Sequence, residues 1–488
     1  MSQGQASGMG NRVARSGAAL AVRAAIVMLT GFLRMALVAR ALGPSEMGTF
    51  ALLSAIVEGG RALTTLGPAS VIVQRAEVPQ SFVDTFWVFR IGQGVLMAGI
   101  TLLSYPVVAH IATDKSVWGL HVLLASSLLL SSFGNPAAVL ETRDSQFTRV
   151  AIMEACVAII DCGATVLLAY WFKSAAALGW GALVRSFAEV GLSFVLFRAK
   201  MRFAVDPAAT KEFLAAGWYL MLHAVGAYIT LYGDNALVGA ILGTHALGLY
   251  AVAYRLAELP FSTLFSITRR LLFPVMSRLQ SDEPRLREVV KTSMLAQMLF
   301  LWPSVVVLTV FPDFILHTIY GERFVDAVNV LRALGFLTLG RAVAILVGTV
   351  LLSAGRYDQV SRLKWLEVGV FLPTLALGLY LGGLVGAALA SGGAYTLAAV
   401  SRTVALRKHM GLGLGDVLHS LLSPALPALG ALVPVGLLRL VLHQPVVELA
   451  LFCTCYLLLV AIIHRALTVR AIGMVKKALR PAAPISSR

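Results

Sequence analysis

Charge is scarce in this chain. Only 13% of its 488 residues are charged, where a soluble domain carries about 25%. No polar stretch is long enough to build a water-soluble domain, so an arrangement of several soluble domains is excluded. Cysteine is scarcer still, with four residues, and Cys156, Cys162, Cys453 and Cys455 all lie inside apolar runs. They show no metal-ligand spacing and read as small buried hydrophobes. A phosphate-binding loop of the form GxxxxGK[ST] is missing, which leaves no nucleotide-driven motor of that kind. No group of histidines and carboxylates gathers on a sizeable loop, as a membrane polymerase or glycosyltransferase would need.

Apolar sequence is abundant: 58% of the residues are hydrophobic and the mean hydropathy is +0.82. A bilayer-crossing helix needs about 20 mostly apolar residues. That criterion predicts an all-α integral membrane protein with about fourteen spans, near 17–42, 48–72, 84–110, 117–140, 147–172, 175–198, 213–242, 246–275, 289–316, 325–352, 359–381, 384–406, 417–441 and 446–469. The net charge of +16 could suggest nucleic acid, but the basic residues sit mainly in short segments between apolar runs. With both termini placed in the cytoplasm, only Lys115, Lys173, Arg323 and Arg439 fall on the outer side, the pattern of the positive-inside rule. The expected organisation is a cytoplasmic N-terminus over 1–16, a first lobe over 17–202, a second over 203–412, two accessory helices over 413–470 and a basic tail over 471–488.

The two lobes are read from an internal echo. LGPSEMGTFA (Leu42–Ala51) recurs as LGTHALGLYA (Leu242–Ala251), and Glu58 recurs as Glu258, all at an offset of 200 residues. Arg149 and Glu154 are matched by Arg362 and Glu367 at an offset of 213. An even number of spans between the copies puts both turns on one side, which predicts two parallel six-helix lobes related by a twofold along the membrane normal. The glycines are expected to end one helix and let the next pack closely.

Arginines inside spans are the candidate functional groups, because each charge at mid-depth costs at least ~2.5–3.5 kcal/mol unless it faces a cavity or a partner. Nine qualify: Arg23, Arg34, Arg40, Arg61, Arg90, Arg185, Arg255, Arg332 and Arg341. Glu58 with Arg61, Arg255 with Glu258, and Arg185 with Glu189 can neutralise each other along one helix. Arg40 and Arg90 lie near span ends and can snorkel. Arg23 and Arg34 have no carboxylate at helical spacing and share one face of the first helix, so they need an anion or a partner from another helix. The repeat equivalent of Arg34 is Asp234, which either pairs with it across the lobes or serves as a protonatable coupling site for a proton or sodium ion. A guanidinium fork suits phosphate, pyrophosphate or an acidic sugar and repels organic cations.

The segments GDNALVGAILGTHALGLYAVAYRLAELP (Gly233–Pro260), LFPVMSRLQSDEPRLR (Leu272–Arg287), ALVARALGPSEMGTFALLSA and IYGERFVDAVNVLRALGF (Ile319–Phe336) resemble the Wzx-like oligosaccharide flippases. These are polysaccharide exporters of the multidrug/oligosaccharidyl-lipid/polysaccharide (MOP) superfamily, and the resemblance runs over roughly residues 12–410. It implies two six-helix lobes forming a V around a central cavity, plus two accessory helices. It also implies an inner-membrane carrier for undecaprenyl-pyrophosphate-linked sugar repeat units in exopolysaccharide export of the colanic acid or succinoglycan kind. A polysaccharide polymerase and a chain-length regulator would be its pathway partners. The resemblance implies a cationic lumen, which Arg23, Arg34, Arg61 and Arg255 fit; from its mid-span position Arg341 is a further substrate candidate, and Asp234, Glu58 and Glu258 are candidate charge partners or coupling groups. The competing readings are a multidrug antiporter of the related MATE type and a membrane polymerase or glycosyltransferase.

Overall fold

The computed structural model describes residues 3–64, 71–72, 75, 77–112, 117–143, 147–197, 201–268, 272–280 and 282–465. Lys115 and the basic tail 471–488 lie outside the described residues. The described chain is α-helical, with helices α1 (Gln3–Ala41), α2 (Pro44–Thr64), α3 (Gln80–Leu103), α4 (Tyr105–Ala112), α5 (Trp118–Ser132), α6 (Ala137–Arg143), α7 (Phe147–Phe172), α8 (Ala176–Leu196) and α9 (Pro207–Ile267). Then follow α10 (Phe273–Arg278), α11 (Glu283–Val310), α12 (Pro312–Tyr320), a 3₁₀ turn (Glu322–Ala327), α13 (Val328–Ser353), α14 (Tyr357–Met410), α15 (Leu414–Leu422), α16 (Ala425–Gly430), α17 (Leu432–Arg439) and α18 (Pro445–Ile463).

Among the described residues nine helical stretches are long and apolar enough to cross a membrane. Two of them reverse direction. Gly243 (φ 81°) interrupts α9 and Gly383 (φ 55°) interrupts α14, and positive φ is a conformation that only glycine adopts without strain. The chain doubles back at each. Gly239 packs on Leu247, and Gly386 approaches the carbonyl of Gly378 so closely that a Cβ would lie 1.9 Å from its oxygen. With the two reversals these stretches make eleven passes; the expected spans near 48–72, 117–140 and 175–198 fall on α2, α5 and α8, which do not reach that length and apolarity.

Three expected spans differ in detail. The third is broken at Ser104, where Pro106 enters the first turn of α4. The fourth ends early, because Pro136 cannot donate to a helix. Buried Asn135 fastens that break, donating from Nδ2 to Phe197 O at 2.9 Å and accepting from the Ala137 amide at 2.9 Å. In the eighth, Pro260 lies inside a helix that continues to Ile267, short of the expected end near 275.

The contacts divide the chain into two compact units, one of Met1–Val252, His317–Ala327 and Leu375–Ala387, the other of Ala253–Leu316, Val328–Thr374 and Ala388–Arg488. In the first unit, α1 packs along α7, α7 along α8, α8 along α5, α5 along α3 and α3 along α2. The second unit is held by an apolar core in which Val347 and Leu351 of α13 pack among Met294 and Met298 of α11 and Leu406 of α14.

The repeated turns meet inside the first unit. A Cβ on Gly48 would lie 1.7 Å from Thr244 O, and one on Gly248 would lie 1.8 Å from Pro44 O. Ser45 Oγ faces His245 Nδ1 at 3.4 Å. Each contact maps onto itself or its twin under the offset of 200, as a twofold requires. Beside them Arg40 donates from Nε to Ile319 O at 3.0 Å and from Nη2 to Thr318 O. These are free carbonyls at the C-terminal end of α12, where a cation is favoured.

Candidate functional site

In the first unit three helices each present a face at spacing i, i+3, i+4, i+7 to one cavity of about 230 Å³. From α2 come Ser54, Val57, Glu58 and Arg61; from α5, Leu124, Ser127, Leu128 and Ser131; from α8, Ala182, Arg185, Ser186 and Glu189. A second cavity of about 200 Å³ shares Arg61, Leu128 and Ser131 and adds Arg90, Gln93, Gly94 and Met97 of α3, at the same spacing. The shared residues make the two cavities neighbours, together called the chamber below, and their summed volume falls in the range of small-ligand sites, about 300–1,000 Å³.

The polar groups are held in place. Arg61 pairs with Glu58 at 3.3 Å on α2. Arg90 donates to Ser131 O at 2.9 Å, and Glu189 is its electrostatic partner from α8. Gln93 Nε2 donates to Thr64 O at 3.1 Å and Thr64 Oγ1 at 3.0 Å. Ser127, Ser131 and Ser186 donate their hydroxyl protons to carbonyls of their own helices. Their oxygen lone pairs remain as acceptors.

Arg185 connects this chamber to the first helix. Its guanidinium lies 3.9 Å from Asp161 of α7, the same carboxylate that accepts from Arg34 Nη1 of α1 at 2.6 Å. Asp161 also accepts from Thr165 Oγ1 at 3.2 Å, and its side chain is 9% exposed. One turn-pair below, Arg23 meets Glu154 at 2.5 Å. Both first-helix arginines therefore take a carboxylate from α7. Arg34 pairs with Asp161, and Asp234 has its own partners, accepting from Tyr250 Oη at 2.9 Å and the Asn235 amide at 2.8 Å, all in buried surroundings. Arg185 turns toward Asp161, while its expected mate Glu189 works with Arg90.

The second unit holds Arg341, Arg255 and Glu258. Arg341 is 4% exposed and boxed by aromatics, with its guanidinium 4.3 Å from the Phe261 ring centre and 5.4 Å from that of Tyr395. It donates to Tyr254 Oη at 3.1 Å and Glu258 Oε1 at 3.4 Å, and Glu258 also faces Arg255 at 3.6 Å. Nearby in the chain, Arg402 donates to Glu367 Oε2 and to Ala344 O, both at 2.8 Å, and Lys364 donates to Glu367 Oε1 at 3.3 Å. Arg332 lies at the surface on Asp313 at 3.1 Å. Among the described residues no group of three or more histidines, cysteines or carboxylates could hold a metal ion.

The family model described as polysaccharide biosynthesis protein matches residues 37–329. The chain belongs to that family. The lipopolysaccharide biosynthesis protein WzxC of Escherichia coli (strain K12) is 22% identical over 373 residues, covering 76% of this chain and 75% of its own. Among solved structures, the lipid II flippase MurJ in an inward closed conformation superposes with a TM-score of 0.71 at 14% identity, over 92% of this chain and 99% of that one. A MATE multidrug transporter of the MOP superfamily, inward-facing, gives 0.56 at 14% identity, over 80% and 98%. The fold is that of the MOP superfamily, and the Wzx-like resemblance read from the sequence is borne out.

Arg61 and Glu58 were legible as site residues from their charge and spacing. Arg90 was read as a snorkelling residue and Arg185 with Glu189 as a pair along one helix, the serines were not singled out, and Asp161 was missed entirely. The signal that could have found the lining residues is the stripe on each of α2, α3, α5 and α8, visible only when the four are read together.

Proposed function

We propose that this chain is a flippase for lipid-linked oligosaccharides. It would carry repeat units on undecaprenyl pyrophosphate from the cytoplasmic to the periplasmic leaflet of the bacterial inner membrane, for exopolysaccharide or O-antigen-type export. The observation that carries the reading is the arginine- and serine-lined chamber between α2, α3, α5 and α8 of a polysaccharide biosynthesis family member. Hydrophilic sugar meets a high barrier in hydrocarbon, and a polar chamber at membrane depth lowers it. Alternating access would present the chamber to each side in turn. Membership of this family and the MurJ-like fold support transport rather than catalysis. A MATE-type drug antiporter is disfavoured by the chamber's arginines, which repel cations.

Energy would come from a proton or sodium gradient or from consumption of the product outside. Asp234, buried against Tyr250 Oη, is our candidate seat for the ion, and Asp234→Asn would then uncouple transport from the gradient in proteoliposomes.

A deletion strain tests the main reading. It should stop exporting polysaccharide and accumulate lipid-linked repeat units on the inner leaflet, and the wild-type chain should reverse both. Export that persists with no accumulation would remove the flippase assignment.

A further inference from the structure

We infer that His121 is a pH-operated latch in the first unit: neutral, its imidazole holds α4 against α5, and a proton on Nε2 releases α4. The side chain is fully buried in the first turn of α5. Its Nδ1 lies 2.8 Å from Val117 O. A carbonyl only accepts, so Nδ1 carries the hydrogen and Nε2 is left with a bare lone pair. That nitrogen is buried and has no hydrogen-bond partner. A lone acceptor in apolar surroundings is unfavourable, and a proton is the simplest donor that can reach it. His121 also continues the stripe of Leu124, Leu128 and Ser131 one turn beyond the chamber, on the side that the basic residues mark as outer. The flippase reading gives it no task, and the latch holds whatever the chamber carries.

What His121 holds is lightly built. α4 is cut from α3 at Ser104, whose hydroxyl donates to Thr101 O at 2.7 Å, and it keeps only Val108 fully buried. Tyr105, in its first turn, meets the His121 ring edge to face at 5.5 Å between centres and Trp118 at 5.0 Å. A short helix held by so few contacts is the kind of segment that opens locally. Among the described residues no carboxylate stands ready for an imidazolium here. α5 carries no other ionisable group, and α4 has Tyr105 and the exposed His110. Neither residues 97–103 of α3 nor residues 176–180 of α8, where Gly179 packs on Leu120 and Leu123, include one. Glu46 of α2, which packs on α4, accepts from its own Gly43 amide at 3.0 Å. Asp114 and Lys115 lie outside the described residues. Burying an unpaired charge is unfavourable, so the closed latch keeps a neutral imidazole, whereas an opened one titrates near pH 6.5 as in water. Closed α4 thus binds fewer protons than open α4. Its closure is fully favoured above about pH 6.5 and is lost progressively below it.

Hydrogen exchange of the full chain in lipid nanodiscs tests the latch, with exchange times corrected for the intrinsic effect of pH on amide exchange. Between about pH 7.5 and about pH 5.5 the amides of α4 should lose protection by about tenfold, the value for one proton on a group that titrates near 6.5 when open. Those of α8 should not change. His121→Phe keeps an aromatic edge against Tyr105 and cannot titrate, so its α4 protection should be independent of pH. His110→Ala should leave the wild-type response intact. If His121→Phe does not fold, the wild type and His110→Ala decide, since these two are the histidines of α4 and α5. Equal protection of wild-type α4 at both pH values, a response that survives in His121→Phe, or one that vanishes in His110→Ala would overturn the latch. None of these measurements involves sugar export, so the deletion strain judges the flippase assignment separately.

Discussion

Arg34 and Asp161 are joined by a 2.6 Å charge-assisted hydrogen bond between α1 and α7, which pack along each other. Because Asp161 also faces Arg185, removing the carboxylate leaves two cations in the membrane interior without their counter-ion. Losing one partner of a buried pair costs about 3–5 kcal/mol, and the one-third exposure of the Arg34 side chain puts the effect at the lower end. Asp161→Ala should therefore lower the unfolding temperature in detergent. The double variant Arg34→Met/Asp161→Leu should recover much of the loss, since it removes both charges. An Asp161→Ala protein as stable as the wild type would show that the pair holds nothing.

The first-helix arginines also show what sequence could and could not reveal. The all-α membrane fold, the twofold echo and the need of Arg23 and Arg34 for a partner were all legible, because hydropathy, repetition and charge are one-dimensional signals. The partners were not. Glu154 and Asp161 sit on a helix more than a hundred residues away, and only packing decides which of many carboxylates an arginine meets. Likewise Arg185 and Glu189 suit each other at helical spacing, yet tertiary contacts send them to Asp161 and Arg90. The chamber escaped notice because Ser127, Ser131 and Ser186 look like ordinary serines of apolar helices until three faces converge.

The paired turns make a prediction about backbone contact. Ala at position 48 would push its Cβ into the carbonyl of Thr244, and Ala at 248 into that of Pro44. A backbone carbonyl cannot swing aside as a flexible side chain can, so each change should exceed the usual overpacking cost of about 1–3 kcal/mol. The twofold adds a sharper expectation: Gly48→Ala and Gly248→Ala should lower thermal stability by similar amounts. A large difference between them would mean that the two contacts are not equivalent.

Glu367 in the second unit is bound by Arg402 at 2.8 Å and Lys364 at 3.3 Å, and its side chain is 4% exposed. It is the repeat counterpart of Glu154 and, like it, ties its helix to another charge. Glu367→Ala takes the carboxylate from Arg402 and Lys364 and should destabilise by about 3–5 kcal/mol, read as loss of folded protein on size-exclusion chromatography. Glu367→Gln keeps one acceptor and should fall between the two. Normal yield of the alanine variant would assign the pair no structural role.

Arginines with a carboxylate from α7 and arginines lining the chamber should fail in different ways. Arg23 and Arg34 are half-buried clasps between α1 and α7; replacing Arg23 by Ala takes the cation from Glu154, replacing Arg34 leaves Asp161 only the longer contact with Arg185, and the protein should lose stability first and export second. Arg61 and Arg185 have side chains 56% and 54% exposed in the chamber, so their replacement removes little packing. Arg61→Ala and Arg185→Ala should accumulate in the membrane near the wild-type level while complementation of a deletion strain drops by about tenfold or more, as expected when a charged hydrogen-bond donor to substrate is lost. Quantitative immunoblots beside a polysaccharide assay separate the two classes. If Arg61→Ala and Arg185→Ala export normally at normal abundance, the chamber does not carry substrate, whatever else it holds.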